Sequence, residues 1–137
     1  GLAVTFTISF FVEIRPYSFS ILIATFFLTS VMFSLAGFIN AVFARTFDDV
    51  AIIPNFVLLP LTYLGGMFYS IDILPSFWRG LSAFNPIFYM MDSFRLGFLG
   101  IGSVELWKAF MVPLAMILML ALIANYLLNR GVSIKTE

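Results

Sequence analysis

The chain has 137 residues, of which 62% are hydrophobic and only 10% charged, and its formal net charge is zero. Soluble domains of this size expose much of their surface and carry about 25% charged residues on average, so this composition indicates an integral membrane protein. The sequence contains no cysteine, no histidine and no basic run, which argues against disulfides, thiol nucleophiles, the usual zinc sites and nucleic-acid binding.

The first apolar segment is residues 1–12, GLAVTFTISFFV. As a helix it would reach roughly 18 Å, which is too short for a hydrocarbon core of about 30 Å. No basic stretch precedes it, as one would in a signal peptide. We therefore expect the end of a truncated transmembrane helix, and a chain that is the C-terminal part of a longer protein.

Residues 18–44 contain no charged residue and predict the first complete transmembrane helix, roughly 40 Å long. Small or polar residues recur at helical spacing at Ala36, Asn40 and Ala44. In lipid such residues let helices approach closely, so they predict a packing face. The alternative is that Asn40 lines a polar path.

A short charged segment, Arg45-Thr46-Phe47-Asp48-Asp49, follows as a turn. Paired aspartates are compatible with metal binding or acid catalysis, but adjacent residues point in different directions on a helix and no third ligand is near in sequence. Aspartate in the first turn of a helix binds free N–H groups and complements the helix dipole. We therefore expect Asp48 and Asp49 to cap the next helix.

Residues 50–71 predict a kinked transmembrane helix, since Pro54, Pro60, Gly65 and Gly66 interrupt an uncharged run. A proline inside a membrane helix removes a backbone hydrogen bond and bends the axis. It is tolerated where a neighbouring helix or cavity water satisfies the freed carbonyl. We expect such a partner for this helix.

Residues 75–100 do not predict another crossing of the membrane. A crossing would bury Arg79, Asp92 and Arg95, each costing about 2.5–3.5 kcal/mol near the helix centre, while each apolar residue returns only about 0.3–0.6 kcal/mol. Asp92 and Arg95, three residues apart, are expected to form an ion pair on one helix face.

Two short helices fit this segment better. Asn85 is a preferred N-cap residue and Pro86 is favoured at the first helical position, so a second helix should start there and end at Gly97 or Gly100. At roughly 15 and 20 Å, neither helix would span the bilayer. The prediction is a re-entrant helical hairpin.

Residues 104–129 predict the last transmembrane helix and residues 130–137 a polar tail. The fold class is thus an all-α integral membrane protein, a polytopic helical bundle with a re-entrant hairpin before the last transmembrane helix. Basic residues do not decide its orientation, because three would lie on one side and four on the other. The three are Arg45, Arg130 and Lys135, and the four are Arg15, Arg79, Arg95 and Lys108.

An ordered series of motifs covers most of the chain. In sequence these are FSLAG at 33–37, TFDD at 46–49, PLTYLGG at 60–66, FYS at 68–70, LP at 74–75, FW at 77–78, NP at 85–86, YM at 89–90, FR at 94–95 and GFLG at 97–100. This series resembles the C-terminal signature of type-2 ABC transporter permeases, in particular the YadH/NodJ-like group of bacterial inner-membrane exporters.

The resemblance implies a multi-pass inner-membrane permease whose turn at Arg45, Asp48 and Asp49 and whose tail are cytoplasmic. The hairpin would lie on the periplasmic side as an outer lid. Two permease copies, most simply a homodimer, would work with two ABC ATPase subunits. ATP and Mg²⁺ would bind to those subunits, so this chain would be neither an enzyme nor a cofactor-binding subunit.

The resemblance also implies an export pathway at the permease dimer interface. The candidates for its lining and outer gate are Tyr63, Gly65, Gly66, Phe68, Tyr69, Asn85 and Pro86. The alternative for the aromatic residues is plain packing. A drug, a lipid-linked sugar and a polysaccharide remain open as substrates. The alternative function is an ATP-independent channel or carrier, which would need ionisable groups at mid-membrane depth. An intramembrane enzyme is disfavoured because no motif pairs a nucleophile with a base.

Overall fold

The computed structural model of the chain describes residues 2–9, 15–66, 73 and 75–129. All regular structure in these residues is helical, which confirms the predicted fold class. The elements are α1 (Leu2–Ser9), α2 (Phe19–Phe43), α3 (Phe47–Ile53), a π-helical turn (Pro54–Leu58), α4 (Leu59–Leu64), α5 (Ser76–Ser82), α6 (Pro86–Leu99) and α7 (Leu106–Asn129).

Among the residues that the structure describes, three stretches are long and apolar enough to cross a membrane: Phe19–Phe43, Phe47–Leu64 and Leu106–Asn129. The second comprises α3, the π-helical turn and α4 in sequence, and we call it the broken helix. It begins three residues earlier than the predicted range of 50–71, because the cap at Thr46 already orders the charged segment as helix. It ends at Leu64, with Gly65 as its C-cap; residues 67–72 lie outside the described part.

The hairpin region contains the two short helices that were predicted. The second of them, α6, starts at Pro86 behind the Asn85 cap and ends at Gly100, which adopts the left-handed conformation with φ of 70°. Glycine reaches this conformation without the steric penalty of a Cβ atom. The two helices are therefore confirmed, whereas the re-entrant placement of the hairpin stays a prediction.

Helices α2, α6 and α7 pack together as a three-helix core. Met32, Met90 and Ile117, one from each helix, are buried at its centre. At the start of α2, the Ser18 N–H donates to the Gly97 carbonyl at 2.9 Å. A Cβ added at Gly97 would lie 2.6 Å from the Leu22 side chain, so glycine is what allows α6 to lie this close to α2.

The broken helix lies apart from this core along most of its length. None of the residues of Phe47–Leu64 is buried. Its main contacts with other helices are at its two ends, where α3 meets α2 and α4 meets α6. The attachment of these two ends therefore sets the position of the broken helix.

Candidate functional site

The C-terminal end of the broken helix is held by side chains of the hairpin. The last carbonyls of a helix have no intrahelical partner and need donors from elsewhere. Two side chains supply them: Asn85 Nδ2 donates to the Leu61 carbonyl at 2.6 Å and Ser82 Oγ to that of Leu64 at 3.0 Å. A third, Arg95 Nη2, donates at 3.1 Å to the carbonyl of Gly66, just beyond the C-cap Gly65. We call Ser82, Asn85 and Arg95 the carbonyl clamp.

Asn85 has two roles at the contact between the broken helix and the hairpin, which we call the junction. Its Oδ1 accepts the Ile87 N–H at 3.0 Å and so caps α6, as predicted, while its Nδ2 belongs to the carbonyl clamp. The side chain is only 2% exposed, and Pro86, Gly65 and Gly66 are also buried. A Cβ at Gly65 would come within 3.0 Å of Ile87 Cγ2, so glycine permits this close approach. The junction thus joins four of the seven predicted pathway residues.

The N-terminal end of the broken helix is bound by the side-chain amide of Asn40. Asn40 Nδ2 on α2 donates to the Val50 carbonyl at 2.9 Å. In an α-helix this carbonyl would accept from Pro54, which has no N–H. Asn40 is 8% exposed, so its amide satisfies a carbonyl that the proline has freed. Of the two possible partners, a neighbouring helix or cavity water, the neighbouring helix α2 supplies the donor at Val50.

The charged segment before the broken helix forms a capping box. Asp49 Oδ2 accepts the backbone N–H groups of Arg45 and Thr46, both at 3.0 Å, and Thr46 Oγ1 accepts the Asp49 N–H at 3.2 Å. The predicted capping role is confirmed for Asp49; Asp48 lies exposed in the same first turn. Such reciprocal bonds satisfy free donors at a helix start and hold the turn in one geometry.

A shallow cleft of about 350 Å³ lies beside this capping box. It is lined by Asn40, Phe43, Ala44, Arg45, Asp49, Ile52 and Ile53. Phe47, in the same turn, is 97% exposed. The cleft is thus mainly apolar, with one basic and one acidic side chain in its lining, and it lies next to a protruding ring.

Asp92 and Arg95 bind backbone groups in the structure and do not form the ion pair predicted for them. The Asp92 carboxylate, 2% exposed, accepts the Ser103 N–H at 2.9 and 3.0 Å and the Val104 N–H at 3.0 Å, just before α7. Arg95 belongs to the carbonyl clamp. Their spacing of three residues permits a pair, but free N–H groups near one helix start and free carbonyls at another helix end provide closer partners.

The predicted site residues therefore separate into two groups. Gly65, Gly66, Asn85 and Pro86 meet at the junction between the broken helix and the hairpin, and the turn of Arg45, Asp48 and Asp49 lies at the other end of that helix. Tyr63 is 56% exposed on α4, while Phe68 and Tyr69 lie outside the described residues.

Sequence reasoning missed Ser82 and the partners of Asn40 and Arg95. The sequence does contain a signal for the partner of Asn40. Pro54 has no N–H, so the Val50 carbonyl four residues earlier lacks its usual helical donor.

The chain is similar to known membrane transport proteins. Residues 1–99 match the family model described as ABC-2 type transporter. The chain is 51% identical over 131 residues to the inner membrane transport permease YadH of Escherichia coli (strain K12), and equally to YadH of Shigella flexneri. These matches cover 96% of the chain but 51% of each relative, so the chain spans about half the length of the curated relatives it matches. No solved structure matches it significantly. The chain belongs to the ABC-2 type transporter family.

Proposed function

We propose that the chain is part of the transmembrane permease of an ABC exporter in the bacterial inner membrane, powered by ATP hydrolysis in a separate subunit. Support comes from the family and from relatives named inner membrane transport permeases. ATP and Mg²⁺ would be held by the partner ATPase. The observation that carries the proposal is the broken helix, a membrane-length helix with no buried residue in a transporter family.

A second permease copy would cover the broken helix. Asn55 lies near the middle of this helix and is exposed, and no described hydrogen bond involves its amide. Lipid cannot satisfy an amide, whereas another helix can, so polar residues at this depth favour helix association. The substrate path would then run between two copies, most simply a homodimer, with Tyr63 at its lining.

The turn at Arg45, Asp48 and Asp49 would face the cytoplasm and touch the ABC ATPase. The capping box holds this turn in one geometry, and the adjacent cleft and the ring of Phe47 offer apolar surface next to opposite charges. A turn of defined geometry would offer the ATPase a fixed contact at the start of the broken helix.

The hairpin would lie on the opposite, periplasmic side as an outer lid. Its two helices differ in attachment, since residues 76–81 of α5 are exposed while α6 belongs to the three-helix core. The lid would therefore be the α5 side, with α6 as its fixed support.

The transported molecule would be an intact organic molecule, such as a drug, a lipid-linked sugar or a polysaccharide. The charged residues within the three membrane-length helices lie near helix ends, at Asp48, Asp49 and Lys108. Ion-coupled carriers and ion channels typically carry ionisable groups deeper in the membrane. This distribution supports an exporter over an ion-coupled carrier.

Reconstitution of the full-length permease with its ATPase into liposomes tests the proposal. We expect uptake of a fluorescent lipid-linked sugar or drug panel into inside-out vesicles to require ATP, and to stop when the ATPase carries a substitution of its phosphate-binding lysine. The purified complex should have the mass of two permeases and two ATPases. Transport that continues at the same rate without ATP would instead indicate a channel or carrier.

A further inference from the structure

The broken helix is attached to the protein in an unusual way for a helix of membrane length. It contributes no buried side chain, and its larger contacts with other helices involve only α3 against α2 and α4 against α6. Within this chain, side-chain packing along its length therefore contributes little to its position. Its position relative to the three-helix core depends on the groups at its two ends.

Two buried amides of the three-helix core hold these ends through backbone carbonyls. Asn40 on α2 donates to Val50 at 2.9 Å, and Asn85, the cap of α6, donates to Leu61 at 2.6 Å. Away from water such bonds have no competing donor or acceptor, so they hold the carbonyl groups firmly. Ser82 and Arg95 add further bonds at the second end.

Between these two attachment points the helix is weakened. Pro54 and Pro60 each remove one backbone N–H. In the π-helical turn Pro54–Leu58 the hydrogen bonds join residues five apart instead of four, as where the Leu59 N–H donates to the Pro54 carbonyl. Missing helical bonds lower the resistance to bending, and π-helical turns are frequent at functional sites. Because no apolar side chain of this helix is buried within the chain, bending would not break a packed contact between it and the three-helix core.

We propose that the broken helix is suspended between Asn40 and Asn85, which act as positioning residues, and that it bends at the π-helical turn when the transporter changes state. This inference rests on the proposed function, since it describes how that permease moves. About eleven residues, roughly 16 Å of helix, separate the two held carbonyls. Their positions stay fixed on the three-helix core while the segment between them shifts toward or away from it.

Distance measurements between spin labels test this directly and need no known substrate. The full-length permease in complex with its ATPase would carry one label on α7, at Leu118→Cys, and a second at either Val50→Cys or Val57→Cys. All three side chains are exposed. On trapping with ATP and vanadate, the distance from position 57 to 118 should shift by several ångströms, while that from 50 to 118 stays unchanged. Equal shifts at both positions, or none at either, would overturn the proposal.

Variants of the two amides test the positioning role. Asn40→Leu removes the donor to Val50 at similar side-chain size, and the distance from 50 to 118 should then broaden and become nucleotide-dependent. Asn85→Ser keeps an N-cap residue for α6 but is too short to reach Leu61, and should broaden the distance from 57 to 118. The matched control is Asn125→Leu, because Asn125 lies exposed on α7 with only Asn129 as its described partner. Distributions in Asn40→Leu that equal those of Asn125→Leu would refute the role of Asn40.

The two proposals fail in different ways. ATP-dependent transport together with equal movement of positions 50 and 57 would leave the exporter function standing and overturn the suspended helix. Transport that does not need ATP would overturn the exporter function itself, whatever the label distances show.

Discussion

The broken helix and helix α6 are separated in the chain by α5, and they differ in burial: half of α6 is buried, whereas the broken helix is not. Seven of the 14 residues of α6 are buried, among them Asp92, Ser93 and Gly97. The broken helix buries none, although it is rich in large apolar side chains such as Phe56 and Val57. The polar and small residues of α6 therefore lie inside, whereas large apolar side chains of the broken helix lie exposed.

This difference follows from the solvent. In lipid, apolar side chains gain nothing by leaving their surroundings, whereas small residues allow close packing and polar groups need partners within the protein. Gly97 brings α6 against Leu22 of α2, and the carboxylate of Asp92 finds N–H groups before α7. The bonds that α2 and the hairpin donate to carbonyls of the broken helix lie near its ends, and it is attached there.

The largest predicted effect is a difference in thiol labelling, because the hairpin and the start of the broken helix should lie on opposite sides of the membrane. Phe84, 84% exposed where α5 leads into α6, and Phe47, 97% exposed at the start of the broken helix, should lie on opposite sides. In intact cells, Phe84→Cys in a cysteine-free full-length permease should react with a membrane-impermeant thiol reagent, whereas Phe47→Cys should react only after the cells are opened. Labelling of Phe47→Cys in intact cells would reverse the proposed topology.

The second prediction concerns the buried carboxylate of α6. Asp92→Ala leaves the N–H groups of Ser103 and Val104 without their acceptor, and we expect a loss of about 3 kcal/mol in stability, at about 1.5–3 kcal/mol for each bond to a charged group. Thermal unfolding in detergent measures it. Asp48→Ala, an exposed carboxylate on the broken helix, is the control and should change stability by less than about 0.5 kcal/mol. Equal losses would contradict the contrast between the two helices.

The smallest predicted effect is a difference in stability between glycine variants in the two helices of the hairpin. Gly97→Ala places a Cβ 2.6 Å from the Leu22 side chain, and the overpacking should destabilise the protein by about 1–3 kcal/mol. Gly80→Ala in α5 meets nothing within 4 Å and should be neutral or stabilise by up to about 1 kcal/mol. Urea or thermal unfolding of the two variants side by side measures the difference. A destabilised Gly80→Ala would show that α5 is packed as tightly as α6.

The amino-acid sequence by itself determined the helices and their ends, because these depend on near neighbours. Asn85 and Pro86 start α6, Gly100 ends it, and Asp49 completes a capping box with Thr46, all through groups within a few residues of each other. The absence of charge over long runs likewise predicts the membrane-length helices, since only length and composition are involved.

The tertiary structure decided which groups meet across the chain and which helix is buried. The donors Asn40 and Asn85 find carbonyls 10 and 24 residues away, and Arg95 finds one 29 residues away. The spacing of three residues predicted Arg95 as the partner of Asp92, because such spacing describes only residues that are near each other in sequence. The relative placement of helices instead gave each of these groups a backbone partner, since a helix end in lipid has no water to satisfy it.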